Sequence, residues 1–146
     1  MVRFKNRYLL CEVRYGDERC DSGYTHKDFY DLVRDSIALN FGDLGSGRLS
    51  VSLGIKYWNA ITGLAVLRIA REDLRTLWAA VSLISYIKAR KARVQVLHCA
   101  GTIRKCEERA KRYLEDWMRE AKQPLEKRRR AVLAADAVSE LQAMQP

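Results

Sequence analysis

The charged side chains of this sequence that could bind a ligand are mainly arginines and lysines, and the first cluster opens the chain. Arg3, Lys5 and Arg7 alternate with Phe4 and Tyr8 in MVRFKNRYLL. In an extended chain, residues two apart project from one side at about 6–7 Å. The three cations can therefore follow a phosphate backbone, while the two aromatic rings dock into the fold or stack on a base. This spacing predicts a polyanion-binding arm, with a solvated, fraying N-terminus as the alternative.

A second cluster lies in the stretch AGTIRK, where a helix is predicted to begin. Gly101 permits close backbone approach, Thr102 can cap the helix, and Arg104 and Lys105 follow within its first turn. The free amides of a helix N-terminus bind phosphate readily. The pattern predicts a phosphate site at residues 102–105, with an ordinary capped helix as the alternative.

A third cluster lies in KYWNAITGLAVLR, which is predicted to be a hairpin. Lys56 and Arg68 would sit on paired strands and add positive potential to the sheet, and Asn59 lies in the loop between them. The same loop residues are also adequate for an ordinary turn.

Signals for catalysis or metal binding are weak. The two histidines, His26 and His98, have no neighbouring nucleophile motif, and the sequence contains no Walker loop and no GxGxxG. The four cysteines, at positions 11, 20, 99 and 106, have wide and unmatched spacings. We therefore expect buried free thiols, no catalytic residue, no metal site and no cofactor bound by this chain.

The overall charge indicates a polyanionic partner. Lys and Arg total 27 against 18 Asp and Glu in 146 residues, which gives a net charge of +9. An excess of that size favours nucleic acid over a membrane surface. No apolar stretch approaches the roughly 20 residues of a membrane span, and the N-terminus lacks the apolar run of a signal peptide, so a soluble intracellular protein is expected.

The hydrophobic periodicity predicts an α+β fold. Strands are predicted at 7–15, 48–58, 63–70 and 94–100, and helices at 26–40, from residue 71 through Ile84, and at 102–122. Thr25 and Asp28 form a capping-box-like start, and KARKAR at 88–93 is interpreted as a basic connector. This order is the split βαβ arrangement of a ferredoxin-like sandwich, with both helices on one face of a four-stranded antiparallel sheet. The predicted domains are 1–122 and an appended helical segment, 123–146.

The other sheet face is predicted to be apolar. The third strand, GLAVLRIA, has none of the stacking aromatics with which an RRM reads bases. Tyr8, Leu10, Leu64 and Val66 fall on this open face. We therefore expect it to be covered, either by a partner protein or by the chain's own helices.

Four blocks resemble one known family in the same order, and together they span about residues 1–106: MVRFKNRYLL, NFGDLGSG, KYWNAITGLAVLR and GTIRKC. The family is that of the Pop-five protein subunits of eukaryotic and archaeal ribonuclease P and ribonuclease MRP. Ala100 departs from the glycine that some relatives have at this position.

The resemblance implies a ferredoxin-like (RRM-like) fold and an accessory, non-catalytic subunit. In that family the partner RNA, with its bound Mg²⁺, removes the 5′ leader of precursor tRNA, and the MRP enzyme cuts precursor rRNA. A TIM-barrel-like protein subunit would pair with the chain and cover the open sheet face, and the expected location is the nucleus and nucleolus. The resemblance also implies RNA contacts at these positions: Arg3, Lys5, Arg7, Lys56, Asn59, Arg68, Thr102 and Arg104.

Two alternatives remain at this point. A small ferredoxin-like enzyme of the acylphosphatase type would need a phosphate loop after the first strand, and GDERCDSG offers an arginine without a convergent cradle of amides. A pure protein-interaction module would carry its charge incidentally. Turnover of an acyl phosphate would support the first alternative, and a lack of salt-dependent RNA binding would support the second.

Overall fold

A computed structural model of the chain describes residues 3, 5–17, 19 and 21–121. The chain divides into a compact unit over residues 1–110 and a second unit over residues 111–146, of which the structure describes 111–121. The elements in chain order are β1 (Asn6–Tyr15), α1 (His26–Ser50), β2 (Gly54–Asn59), β3 (Leu64–Ala70), a 3₁₀ turn (Arg71–Asp73), α2 (Leu74–Ser82), β4 (Tyr86–Ile87), β5 (Arg90–Ala100) and α3 (Ile103–Ala121).

The sheet confirms the ferredoxin-like prediction. Its strand order is β2-β3-β1-β5-β4, and every neighbouring pair is antiparallel. The first four strands in this order are the four that were predicted, and β4 is a two-residue edge strand that the periodicity did not reveal. Right-handed crossovers place α1 and α2 on one face of such a sheet.

The main core lies between this face and the two helices. Leu9, Cys11 and Val13 alternate along β1 and belong to the buried cluster, together with Phe29 of α1 and Leu77 of α2. The ring of Phe29 stacks on Trp58, with centroids 4.5 Å apart and planes at 8°. Thr25 and Asp28 form the predicted capping box at the start of α1. Leu9, Cys11 and Val13 therefore lie on the sheet face that packs against the helices.

The predicted strand over 48–58 is confirmed only from Gly54 onward, and residues 48–50 belong to a helix instead. Helix α1 breaks at Gly42, with φ 74° and ψ −174°, and then continues to Ser50, so that β2 begins only at Gly54. Leu49 is buried, its carbonyl accepts from the amide of Leu53 at 2.8 Å, and Val51 is 86% exposed. Leu49 and Leu53 are four positions apart. This spacing places two side chains on one face of a helix, and it also places them on one face of a strand.

The region 88–93 is not a simple connector, because β5 begins at Arg90 and residues 88–89 turn the chain from β4 into it. Lys88 and Ala89 both have positive φ, 48° and 63°. Helix α3 covers 103–121 where 102–122 was predicted. The predicted helix at 123–146 lies outside the described residues, and the domain division at residue 122 stays a prediction. Within the described part of the chain, no helix is both long enough and apolar enough to cross a bilayer.

Three of the four cysteines are described, and all three are free thiols. Cys11 and Cys106 are buried and Cys99 is half-buried, while Cys20 lies outside the described residues. Burial raises the pKa of Cys11 to about 12 and that of Cys106 to about 11. The reactive thiolate is therefore almost absent from both at pH 8.

We expect iodoacetamide at pH 8 to alkylate Cys11 and Cys106 at least roughly 100-fold more slowly in the native chain than in urea, because both access and ionisation are suppressed. Peptide mass spectrometry against time measures each cysteine separately. Labelling of Cys11 at equal rates in the two states would contradict the burial described above.

Candidate nucleic-acid interface

A cleft of about 660 Å³ lies where the chain enters β1, and we call it the N-terminal cleft. The carbonyl of Lys5 accepts from the amide of Arg71 at 2.9 Å, which extends the pairing of β1 with β3 by one step. The segments before β1 and after β3 therefore run side by side. The lining residues are Arg3, Lys5, Arg48, Val51, Ser52, Ala70, Arg71, Glu72 and Asp73.

One of the four cations in the N-terminal cleft is already neutralised. Arg48 Nε lies 2.8 Å from Oδ1 of Asp73, whose side chain is only 10% exposed. Within the described residues, Arg3, Lys5 and Arg71 have no carboxylate within ion-pair distance. These three side chains are exposed and so supply the positive potential of the cleft.

Arg7 is not among the described residues that line the N-terminal cleft, and one continuous row of the three cations stays a prediction. Its Nη1 donates to the carbonyl of Asn6 at 3.0 Å and lies beside Gly101, where an added Cβ would be 3.6 Å away. Regular pairing begins at Asn6, and from there the register fixes where each side chain projects. Arg7 is thereby placed next to the segment that begins α3.

The start of α3 has the predicted cap. Thr102 Oγ1 accepts from the amide of Lys105 at 3.4 Å, and both residues are exposed. Arg104 Nε lies 3.4 Å from Glu108 Oε1, one helical turn further along. Arg104 therefore has an acidic partner on its own helix, although the pair is exposed and weak. A phosphate site at this helix start stays a prediction.

The hairpin residues have different roles. Asn59 Oδ1 accepts from the amides of Ile61 and Thr62 at 2.9 and 3.2 Å, which makes Asn59 a turn-forming residue. Lys56 is exposed at the irregularity between Ile55 and Tyr57. RNA contacts by either residue stay predictions.

Arg68 lies opposite Gly54 and Tyr8 on the open sheet face. A Cβ on Gly54 would come within 3.5 Å of the Arg68 guanidinium, so the glycine provides the space that this group occupies. Its Nε is buried and has no hydrogen-bond partner in the described part of the chain. The guanidinium is therefore held against the sheet, and contact with RNA stays a prediction for Arg68 too.

The apolar side chains of the open sheet face have little exposed surface. Leu10 and Leu64 are fully buried and Val66 is 3% exposed, while Tyr8 is half-buried and its carbonyl accepts from Cys106 Sγ at 3.4 Å. A protein interface at Tyr8, Leu10, Leu64 and Val66 stays a prediction.

The sequence over residues 7–111 matches the family model described as the Rpp14/Pop5 family. The chain belongs to the Rpp14/Pop5 family. This confirms the resemblance drawn from the four sequence blocks. As an Rpp14/Pop5 family member, the chain resembles curated proteins called ribonuclease P/MRP protein subunit POP5.

The human POP5 subunit is 39% identical over 111 residues, which cover 73% of this chain and 68% of the human protein. The Schizosaccharomyces pombe subunit is 37% identical over 116 residues, covering 73% of this chain and 84% of that protein. An Arabidopsis thaliana protein called a probable POP5 subunit is 35% identical, with 75% and 77% covered. The similarity therefore extends over most of both chains in each comparison.

A solved structure supports the fold of this Rpp14/Pop5 family member. One chain of a cryo-EM structure of yeast ribonuclease MRP superimposes with a TM-score of 0.52 at 12% identity, covering 84% of this chain and 98% of that one. At this identity the likeness concerns the fold. It agrees with the ferredoxin-like strand order described above.

Sequence reasoning found half of the basic residues in the N-terminal cleft. The spacing of Arg3 and Lys5 identified these two residues. Arg48, which reaches the cleft from α1, and Arg71, which reaches it from the turn after β3, were missed. Arg71 had one usable signal, since it directly follows a predicted strand. Among the described residues, no three His, Cys, Asp or Glu side chains gather in a way that could hold a metal ion.

Proposed function

We propose that this chain is an accessory, non-catalytic RNA-binding subunit of ribonuclease P and ribonuclease MRP. Its family, its POP5 relatives and the ribonuclease MRP particle that contains a chain of similar fold all support this role. The observation that carries the RNA-binding part is the N-terminal cleft, where Arg3, Lys5 and Arg71 have no carboxylate partner among the described residues.

The physical task of the chain is to neutralise phosphate charge where RNA strands crowd together. Each phosphate that a lysine or arginine neutralises releases condensed counterions, which favours binding and makes it salt-dependent. Exposed guanidinium and ammonium groups suit this task, because phosphate contacts position a nucleic acid without reading its sequence. Such a subunit stabilises the folded RNA and performs no bond cleavage.

The finer parts of the proposal follow from the family. The partner RNA and its bound Mg²⁺ remove the 5′ leader of precursor tRNA and cut precursor rRNA, so this chain needs no cofactor of its own. A TIM-barrel-like protein subunit and other subunits of the particle are its protein partners. The nucleus and nucleolus are its location.

Purification of the tagged full-length chain from its own cells tests the proposal. We expect one or more stable RNAs to copurify, and the recovered particle to cleave precursor tRNA in Mg²⁺ while the chain purified alone does not. Recovery of an assembly without stable RNA would contradict the proposed function. Cleavage of RNA by the chain alone would contradict its non-catalytic part.

A further inference from the structure

A second basic surface lies at the opposite end of β1 from the N-terminal cleft. It consists of Arg14 on β1 and of Lys91 and Arg93 on β5, and we call it the far-end surface. Ala92 and Val94 are buried in the main core, so the residues that alternate with them project to the other side of the sheet. Arg93 is paired directly with Arg14 across the two strands. Arg14 and Arg93 are therefore direct cross-strand neighbours, and Lys91 lies two residues from Arg93 on the same side of β5.

The cations of KARKAR differ in what they contact. Arg90 Nη2 donates to Asp17 Oδ1 at 2.7 Å and to the carbonyl of Arg19 at 2.7 Å. The Lys88 ammonium lies 5.0 Å from the centroid of the Tyr24 ring. These two cations hold parts of the fold together, and their positions need no ligand.

Lys91 and Arg93 lack such partners. Both are exposed, and in the described part of the chain neither has a carboxylate within ion-pair distance. Arg93 Nη2 donates to the amide oxygen of Gln95 at 3.5 Å. Like charges directly opposite each other on paired strands destabilise a sheet. Arg14 Nε lies 2.9 Å from Glu12 Oε1. The guanidinium of Arg93 has no such carboxylate among the described residues and is available to an external anion.

The far-end surface borders a cleft of about 510 Å³ whose lining suits phosphate. Besides its three cations, the described part of the lining includes two serines and no acidic residue, whereas Glu72 and Asp73 line the N-terminal cleft. Hydroxyl and guanidinium groups are among the usual protein contacts to phosphate oxygens. The lining residues are Arg14, Tyr15, Gly16, Ser82, Ile84, Ser85, Lys91, Ala92 and Arg93.

We infer that the far-end surface is a second site for RNA phosphates, which rests on the proposed function. Lys5 and Arg14 are nine residues apart on an extended chain, a distance of about 30 Å. Strand β1 pairs on both sides, with β3 and with β5, so its length is fixed by the sheet. The chain thus holds two RNA segments at a set separation, one at each end of its central strand.

The test compares the full chain with two variants of equal charge on ribonuclease P RNA transcribed in vitro. The variant Lys91→Gln/Arg93→Gln removes two far-end cations, and Lys27→Gln/Arg75→Gln removes two exposed cations from the helix layer as a control. The dissociation constant is measured against KCl concentration, and hydroxyl-radical footprinting maps the protected nucleotides. Circular dichroism checks that each variant is folded.

We expect the far-end variant to lose protection of one RNA segment and to keep a separate one. Its log–log salt slope should be flatter by about 1.5, and its affinity roughly tenfold lower near 0.1 M salt. The control should stay within about twofold of the unchanged chain. Loss of one protected segment with retention of the other would establish two sites.

Other outcomes would overturn the inference. If the far-end variant binds like the control while Arg3→Gln/Lys5→Gln weakens binding, the far-end surface is not an RNA site and the proposed function stands. Unchanged RNA binding with increased aggregation would show that these cations protect the edge of the sheet. Unchanged RNA binding with loss of a protein subunit from the purified particle would assign the surface to a protein. If the unchanged chain does not bind the RNA, the proposed function itself fails.

Discussion

Replacement of Gly63 by alanine is expected to destabilise the compact unit of residues 1–110 by about 3–4 kcal/mol. Gly63 has φ +71°, a conformation that costs an L-residue about 1–2 kcal/mol. An added Cβ would lie 2.4 Å from the carbonyl oxygen of Val13, so the backbone of the central strand β1 must move. The same movement disturbs the hydrogen bond from the Val13 amide to the Gly63 carbonyl, now 2.7 Å. Overpacking of this kind adds about 1–3 kcal/mol.

Urea unfolding followed by circular dichroism measures this effect, and Gly47→Ala is the matched control. Gly47 lies in the second part of α1, and an added Cβ would meet no atom within 4 Å. Alanine in an exposed helix is favoured over glycine by up to about 1 kcal/mol, so the control should be neutral or more stable. A loss below about 1 kcal/mol for Gly63→Ala would mean that the approach of Gly63 to β1 is wrongly placed.

The combined variant Arg3→Gln/Lys5→Gln/Arg71→Gln is expected to lower affinity for ribonuclease P RNA roughly 100-fold near 0.1 M salt. Each lost phosphate contact removes about 0.7–0.9 from the log–log salt slope, so three contacts flatten it by about 2–3 units. The effect is large because these cations have no carboxylate partner in the described part of the N-terminal cleft. Fluorescence anisotropy over a KCl series measures affinity and slope together.

The control for this variant removes three exposed cations elsewhere, in Lys27→Gln/Arg75→Gln/Lys111→Gln. It has the same net charge, so a general effect of charge would lower both affinities alike. An Arg7→Gln variant separates the contribution of the residue beside Gly101 from that of the cleft. A salt slope unchanged by the cleft variant would remove the N-terminal cleft from the RNA interface.

The fold was largely predictable because its central elements have one periodicity each. In strand β1, Leu9, Cys11 and Val13 recur at every second position on the face toward the helices, and the Thr25 cap marks the start of α1. The strand prediction failed around Leu49 because the spacing of residues 49 and 53 is compatible with both a helix and a strand. The ion pair between Arg48 and Asp73 helps to hold the helical form, and it joins residues 25 positions apart. Secondary-structure propensity within a short stretch of sequence does not account for a contact between residues so far apart.

The candidate site was predictable only where it follows the chain. Arg3 and Lys5 are close in sequence, so their spacing alone indicated a common surface. Arg71 joins them because its amide pairs with the Lys5 carbonyl, and that pairing depends on the register of β1 against β3. Lys91 and Arg93 were interpreted as part of a connector. The sequence pattern indicates neither the turn at Lys88 and Ala89 nor the cross-strand pairing of Arg93 with Arg14.

The irregularity in the pairing of β1 with β5 controls which side of the sheet carries the end of β5. Leu10 pairs with His98 but Cys11 pairs with Val96, so Leu97 is one residue more than the ladder needs. Up to Val96 the even-numbered residues of β5 face the helices, and after it Cys99 does. The extra residue, Leu97, therefore determines the side of the sheet on which Ala100 lies and from which the chain turns into α3. Deletion of Leu97 would leave the four family-like sequence blocks unchanged, and the chain would still leave β5 on the opposite side of the sheet.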